Sequence, residues 1–278
     1  MDRKGTLSGW LVVSDIDGTL NNKVRQTPRR NIEAISHFVD QGGIFTLASG
    51  RNVQSLKKHY DKLPIRGMPA IVMNGSGIYD FGSGKFLYKD PIGRQGMELI
   101  RAAHRRFHGN EVAVFTSDNI YCLNSGVCCR VFVAADHLRH RFCRSFEEIP
   151  QGDWCKVIFF ASPARLKKIM EFTRDYGDGI VKTFHSSAIG FEIVNATANK
   201  GAAVLKLAEM KGIEYDHTAA IGDYYNDVDM LKAVALSAAC GQAPKEIKEL
   251  VRYQACHCNQ GAVADFLHYI EHQYIQGR

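Results

Sequence analysis

The stretch that most limits what this chain can become runs from Trp10 to Leu20, WLVVSDIDGTL. Trp10, Leu11, Val12 and Val13 form an aromatic and β-branched apolar run, which suits a buried strand. The run stops at two carboxylates, Asp15 and Asp17, followed by Gly18 and Thr19, residues that suit a turn. Side chains two apart on an extended chain point the same way, so Asp15 and Asp17 are expected to face one spot at the carboxyl end of the strand. Two anions so close repel, and a low-dielectric surround sharpens the repulsion. The pair therefore asks for a cation, and hard oxygen ligands favour Mg²⁺. A calcium loop does not fit. Counted from Asp15, its sixth position is Leu20 rather than Gly, and its twelfth is Gln26 rather than Glu.

The order of elements gives the fold class. Pro28 to Gln41 reads as a helix, with Thr27 as its cap, Ile32, Ile35, Phe38 and Val39 as its apolar stripe, and Gly42 and Gly43 as its stop. Ile44 to Ala48 reads as a strand that empties into Ser49, Gly50 and Arg51. Asn52 to Leu63 reads as a helix and Ala70 to Met73 as a strand. Strand and helix in alternation predict an α/β fold with a Rossmann-like parallel-sheet core, whose ligands gather at the carboxyl ends of the strands. Gly75, Ser76 and Gly77 do not make a dinucleotide loop, because no third Gly follows and no helix opens there; a hairpin over 78–88 fits better.

The pattern changes from Asp90 onward. Helices over 91–107 and 163–176, short strands over 112–115, 120–123, 156–161, 180–183 and 191–194, and a poorly patterned stretch over 127–143 predict an inserted α/β domain of normal size. The expected division is 1–84 with 190–278 as the core and 85–189 as the insertion. Asn199 to Gly212 then reads as a helix with Lys200 in its first turn. A cation at a helix amino end opposes the helix dipole, so Lys200 either turns to water or answers an anion. A strand over 217–221 empties into Gly222, Asp223, Tyr224, Tyr225, Asn226 and Asp227, a second acidic cluster at a strand end. A strand over 236–240 and helices over 244–253 and 262–274 close the chain.

Asp15 with Asp17, Ser49, Lys200, and Asp223 with Asn226 and Asp227 thus fall at strand ends or a helix start. Their types and order match phosphoryl transfer through an aspartyl phosphate. In that chemistry Asp15 is the nucleophile. Ser49 and the amides of Ile16 and Gly50 donate to phosphate oxygens, and Lys200 neutralises the transferring group. Asp223 completes a metal site with Asp15 and the carbonyl of Asp17. Asp17 protonates the leaving oxygen and then activates water, while Asp227 and Asn226 orient the surrounding groups.

SDIDGTL, LASGR, ANKGAA and IGDYYNDVDML resemble the four motifs of the haloacid-dehalogenase-like (HAD) superfamily of phosphatases. The long insertion between Ser49 and Lys200, the NGSGIYD segment and the closing NQGAVADFL resemble its Cof-like branch with a large α/β cap. The resemblance covers nearly the whole chain. It implies Mg²⁺-dependent hydrolysis of small phosphomonoesters, sugar phosphates among them. The family's roles fall on Asp15 (nucleophile), Asp17 (acid and base), Ser49, Lys200 and Asn226 (phosphate) and Asp223 (metal). Gln242 departs from the pattern, standing after a Gly where the family usually has Asn. It lies outside the four motifs. The alternative readings are a phosphosugar mutase or a non-catalytic phospho-ligand-binding protein on the same scaffold.

The inserted domain is expected to choose the substrate, with Lys156, His185, Ser186 and Ser187 as its candidate contacts. Bulk properties fix the remaining expectations. Lys and Arg total 35 against 29 Asp and Glu, a mild basic excess compatible with small anionic substrates. The basic runs over 101–106 and 139–144 lack interleaved aromatics that would stack bases, so nucleic acid is not an expected partner. No apolar run reaches membrane-spanning length, and MDRKGTLSGW lacks the apolar core of a signal peptide, so a cytoplasmic monomer or small homo-oligomer is expected. The eight cysteines show no small-domain framework and are read as reduced thiols. Neither Cys128 with Cys129 nor Cys256-His257-Cys258 has a partner pair at zinc spacing.

Overall fold

The computed structural model describes residues 7–65, 67–124 and 126–274. Its first strand, β1 (Leu11–Ser14), is buried at every position, as a parallel strand covered on both faces must be. Helix α1 (Arg29–Asp40) turns Asn31, Ala34, Ile35 and Phe38 inward. The expected Thr27 cap is not made. The Thr27 hydroxyl donates to Asn21 Oδ1 at 2.7 Å, and Pro28 stands at the cap position with no side-chain bond. Strand β2 (Ile44–Leu47) pairs parallel with β1, Ser14 opposite Leu47. Helix α2 (Val53–Tyr60) is shorter than its pattern suggests and is capped by Asn52, whose side chain accepts the Ser55 amide.

Strand β3 (Ala70–Val72) does not join the parallel sheet as expected. Just past β2, Ala48 makes one parallel bridge to Ile71 and the Ser49 amide donates to the Ile71 carbonyl at 3.0 Å, but the ladder of β3 is antiparallel with β4 (Gly77–Asp80) in a three-stranded sheet completed by β5 (Lys85–Lys89). The cause is local: Met73 and Asn74 both sit in the left-handed region, with φ of 52° and 56°, and reverse the chain after three strand residues.

The chain then forms a second compact unit, Tyr88–Ala198. It contains α3 (Arg94–Arg106), β6 (Glu111–Phe115), β7 (Ile120–Leu123), α4 (Val127–Ala135), β8 (His140–Cys143), β9 (Lys156–Phe160), α5 (Pro163–Gly177), β10 (Val181–Ser187) and β11 (Gly190–Asn195). Its six-stranded sheet has the order β10-β11-β9-β6-β7-β8, antiparallel except where β7 meets β8. Alternate residues Val112, Val114, Val157, Phe159, Phe191 and Ile193 pack in one core with Ile100 and Ala103 of α3 and Leu166 and Ile169 of α5. Each such side chain withdrawn from water contributes about 1.5–3 kcal/mol. The second unit ends later than residue 189, because β11 is hydrogen-bonded to β9 and β10. The following residues are also held in the unit: Asp90 accepts from Asn195 Nδ2 at 2.6 Å and Thr197 Oγ1 at 2.7 Å.

From Asn199 the chain belongs again to the first unit. Helix α6 (Lys200–Lys211) ends at Gly212, left-handed at φ 64°. Strand β12 (Thr218–Gly222), helix α7 (Val228–Ala233), strand β13 (Leu236–Ala239), helix α8 (Lys245–Glu249), strand β14 (Tyr253–Gln254) and helix α9 (Ala262–Tyr274) follow. The helix expected over 244–253 ends at Glu249, so that Tyr253 and Gln254 can form the edge strand. The five-stranded parallel sheet has the order β14-β13-β12-β1-β2. Its register sets Ser14 beside both Ile221 and Leu47, so the residues that follow β1, β2 and β12 emerge at one edge. No helix among the described residues is long and apolar enough to cross a membrane, and all eight cysteines are free.

Candidate active site

Every core motif lies where the parallel strands stop. Asp15 follows β1 and is 6% exposed; its amide donates to the Ile221 carbonyl at 3.0 Å, which pins it to β12. Asp223 follows β12. Lys200 opens α6, capped by Asn199, whose side chain accepts the Ala202 amide at 2.7 Å. The lysine does not turn to water. It is 1% exposed, and Nζ donates to Asp15 Oδ1 and to Asp227 Oδ1, each at 2.6 Å. Asp227 is fully buried, and its other oxygen accepts the amides of Asp223 at 3.0 Å and Tyr224 at 3.2 Å. One side chain thus fixes both the Lys200 ammonium and the loop that carries Asp223.

Oxygens of Asp15, Asp223 and Asp227 lie within 4.8 Å of one another. One ammonium faces three carboxylates, which leaves two negative charges uncompensated when all are ionised. Burial pushes the Asp15 carboxyl up to about 8; Lys200 works against that rise, and Asp227 and Asp223 add to it. Burial and then Asp227 raise Asp223 to about 6. Lys200 goes the other way: burial opposes its charge, but the two carboxylates overcome it and hold the ammonium more firmly than in water.

The donor set fits a hard divalent cation. Both Asp227 oxygens are committed, to Lys200 and to backbone amides, so Asp227 supports the site rather than offering a ligand. Asp15 and Asp223 have carboxylate oxygens to give. Gly18 lies between them at φ 87°, and a Cβ there would overlap Asp223 Oδ2. Only glycine lets the turn pass that close.

Around this centre Ser49 is buried, and its hydroxyl accepts the Arg51 amide at 3.2 Å. Gly50 packs on the Asn74 amide; a Cβ there would come within 2.9 Å of it. Ile16 is buried, its carbonyl accepting from the Asn21 amide at 2.8 Å. Asn226 is half-buried on the 3₁₀ turn Tyr225–Asp227. Asp17 is exposed. The chain is no longer extended there, since β1 ends at Ser14, and Asp17 takes a bidentate ion pair from Arg51, with Nε to Oδ2 and Nη2 to Oδ1 both at 2.9 Å. The expectation that simple alternation aims Asp17 is therefore replaced by a turn and an arginine clamp.

Of the residues expected in the second unit, Lys156 is buried, and Nζ donates to Glu192 Oε1 at 3.3 Å beneath the Phe115 ring. His185 is exposed, its ring 6.4 Å from that of Phe191. Ser187 is exposed, and its hydroxyl accepts the Ile189 amide. The Ser186 side chain lies outside the described residues. Reading the sequence sets Asn74 at the strand-end edge with Asp15 and Ser49 and notes Gln242 as a departure, but gives Gln242 no contact and misses Arg51 and Thr19. All four follow strand ends or sit in turns beside the expected motifs, which is the signal that could have found them. Among the described residues no second group of three carboxylate, thiol or imidazole donors comes together.

Comparison with known proteins gives the family. The family model for haloacid dehalogenase-like hydrolase matches residues 12–267. A 5-amino-6-(5-phospho-D-ribitylamino)uracil phosphatase of Bacillus subtilis is 26% identical, covering 92% of this chain and 96% of that protein. The HMP-PP phosphatase of Serratia proteamaculans is 25% identical, covering 95% and 97%. A solved haloacid dehalogenase-like hydrolase from Bacteroides thetaiotaomicron superposes with a TM-score of 0.84 over 94% of this chain and 99% of that one, at 23% identity. With its motif residues gathered at one edge of the parallel sheet and the family model spanning both units, the chain belongs to the haloacid dehalogenase-like hydrolases.

Proposed function

We propose that this hydrolase is a Mg²⁺-dependent phosphomonoesterase acting on small phosphorylated metabolites through a phosphorylated Asp15. The observation that carries the reading is the buried Asp15 carboxylate, 2.6 Å from the Lys200 ammonium and close enough to Asp223 to share a cation with it.

Asp15, Asp223 and the Asp17 carbonyl would hold the Mg²⁺, which when bound supplies positive charge to the carboxylates and the transferring phosphoryl group. Asp15 attacks phosphorus through a carboxylate oxygen, the bond to the ester oxygen breaks, and Asp17 gives that oxygen its proton. Asp17 then takes a proton from water, whose oxygen attacks phosphorus, and the bond to Asp15 breaks to leave inorganic phosphate and free enzyme. Lys200, the Ser49 hydroxyl, the amides of Ile16 and Gly50, and Asn226 receive the negative oxygens. Because Asp17 must carry a proton in the first step, its pair with Arg51 has to loosen as substrate binds.

The second unit is the substrate-selecting part in this reading, with His185, Ser186 and Ser187 as candidate contacts. Lys156 is already engaged by Glu192 and serves that unit's own structure. Relatives named for two different phosphorylated metabolites support a small-molecule substrate, sugar phosphates included, rather than nucleic acid or a membrane. Eight free thiols suit a reducing cytoplasm. The test is hydrolysis of an aryl phosphate and of a panel of phosphorylated metabolites with Mg²⁺. Turnover removed by EDTA and by Asp15→Asn supports the reading; no hydrolysis anywhere in the panel overturns it.

A further inference from the structure

Gln242 leaves β13 two residues beyond its partners at the other strand ends, and its one amide joins three segments of the first unit. Nε2 donates to the Gly18 carbonyl at 2.5 Å and, with its remaining hydrogen, approaches Asp223 Oδ2 at 3.5 Å. Oε1 accepts the Cys258 amide at 3.0 Å. The short bond to Gly18 dominates, and the approach to Asp223 is at the limit of hydrogen-bond length. Thr19, the next residue along, donates its hydroxyl to Asp223 Oδ1 at 3.3 Å. The Gly18–Thr19 turn thus leans on Asp223 from one side, Gln242 ties turn and carboxylate together from another, and the turn Cys258–Gln260 anchors Gln242 from behind.

We propose that Gln242 is a positioning residue for the divalent-cation site, holding the Gly18 turn against Asp223 so that Asp223 and Asp15 stay at the spacing one ion requires. This rests on the functional reading above. It goes further in assigning metal affinity to a residue outside the four motifs, where this chain departs from the usual asparagine. The physical ground is that Gly18 has no side chain with which to hold its place, and two carboxylates of one sign push apart unless something other than the ion restrains them. An amide suits that task because it donates to a carbonyl and a carboxylate at once and brings no charge. Groups that orient metal ligands are worth 10–100-fold in affinity.

The experiment titrates purified full-length chain with Mn²⁺, following free ion by electron paramagnetic resonance, and with Mg²⁺ by calorimetry. Wild type is compared with Gln242→Ala, Gln242→Met and Gln242→Asn; melting in EDTA establishes that each is folded. Gln242→Met keeps length and volume without donor or acceptor, so it decides the matter should Gln242→Ala fail to fold. The expected result is a loss of about tenfold or more in Mn²⁺ affinity for Gln242→Met, and a smaller loss for Gln242→Asn, which keeps the amide. The Mg²⁺ concentration for half-maximal aryl phosphate turnover moves by the same factor, while kcat at saturating Mg²⁺ stays within about threefold. Wild-type affinity in folded Gln242→Met, or an equal loss in the Asn and Met variants, overturns the proposal and leaves the phosphatase reading standing. Absence of Mn²⁺ binding by the wild type overturns both.

Discussion

Each unit buries a lysine against carboxylate, and the two arrangements differ in one respect that separates a site from a structural pair. In the second unit Lys156 meets Glu192 one to one, at 3.3 Å, with the Phe115 ring 4.7 Å from the ammonium. Charge is balanced and the aromatic face satisfies the rest of the cation. In the first unit Lys200 meets Asp15 and Asp227 at 2.6 Å each, with Asp223 close by, so negative charge is in surplus. Burial of charge is common to both; the surplus, placed where parallel strands end, is what a further cation would neutralise, and in the proposed function that cation is what lets an anionic phosphoryl group approach. The largest test of this contrast is Asp15→Asn, which removes the oxygen proposed to attack phosphorus. Aryl phosphate turnover is expected to fall by on the order of 10³-fold or more, whereas Glu192→Gln leaves kcat within about threefold. The contrast breaks if Glu192→Gln silences the enzyme and Asp15→Asn does not.

The second test concerns stability. Lys200→Met leaves buried carboxylates uncompensated and is expected to cost about 3–5 kcal/mol in denaturant unfolding of the metal-free protein. Lys156→Met alone strands Glu192 and is also costly. Lys156→Met with Glu192→Leu, however, replaces a balanced pair by packed apolar groups and should return stability to within about 1 kcal/mol of wild type. No such paired replacement at Lys200 and Asp227 restores turnover, because the amides of Asp223 and Tyr224 lose their acceptor with Asp227. A double replacement in the first unit that keeps full activity would show that the surplus charge has no function.

How far these two clusters could be read in advance differed for a physical reason. Asp15, Asp223 and Lys200 announce themselves because strand ends and a helix start are local features, and a parallel sheet carries strand ends to one edge without further information. The Lys156–Glu192 pair joins strands 36 residues apart in sequence in an antiparallel sheet, and no local pattern marks it. The stretch over 127–143 is similar. In α4, VCCRVFVAA is apolar nearly all round, so it shows no amphipathic period, and β8 is a four-residue edge strand with two exposed positions. Thr27 misled because its hydroxyl was already claimed by Asn21. Gln242 stood out as a departure but was given no role, because an uncharged side chain after a short strand signals little until its three partners are in place.

The surplus also predicts a dependence on pH and metal that the balanced pair does not. Asp223, raised to about 6, holds its proton more tightly in the folded than in the unfolded chain. Folding of the metal-free protein therefore loses stability as pH rises from about 4 to about 6, by about 2–3 kcal/mol from this group, and changes little from it above that range. Saturating Mg²⁺ favours the ionised carboxylate and reverses the trend, so the gain in melting temperature on adding Mg²⁺ grows with pH across the same window. Unfolding in EDTA and in Mg²⁺ at several pH values measures both slopes, and Asp223→Asn isolates the group. A metal-free stability that rises between pH 4 and 6, and differs from Asp223→Asn in that direction, would remove the electrostatic half of the contrast.

The smallest effect expected is at Arg51, and it sharpens the contrast by asking whether a pair can be functional without being buried. The Asp17 side chain is 47% exposed and that of Arg51 20%, so the ion pair contributes little to stability. Its value is geometric: a bidentate fork fixes both carboxylate oxygens, and Arg51 Nη1 also donates to Ser55 Oγ at 2.9 Å, which holds the fork on α2. Arg51→Lys keeps the charge and loses the fork; Arg51→Ala loses both. If Arg51 aims Asp17, both variants lower kcat/KM for a poor leaving group such as an alkyl phosphate by about tenfold. Both leave kcat/KM for an aryl phosphate, whose leaving oxygen needs no proton, nearly unaffected, although kcat falls wherever the water step that Asp17 also serves limits turnover, and unfolding free energies stay within about 0.5 kcal/mol of wild type. If the contact matters only as charge, Arg51→Lys behaves as wild type. A uniform fall in kcat/KM with both substrates would instead place Arg51 at the phosphoryl group itself, and the exposed pair would then belong with the surplus-charge cluster rather than beside it.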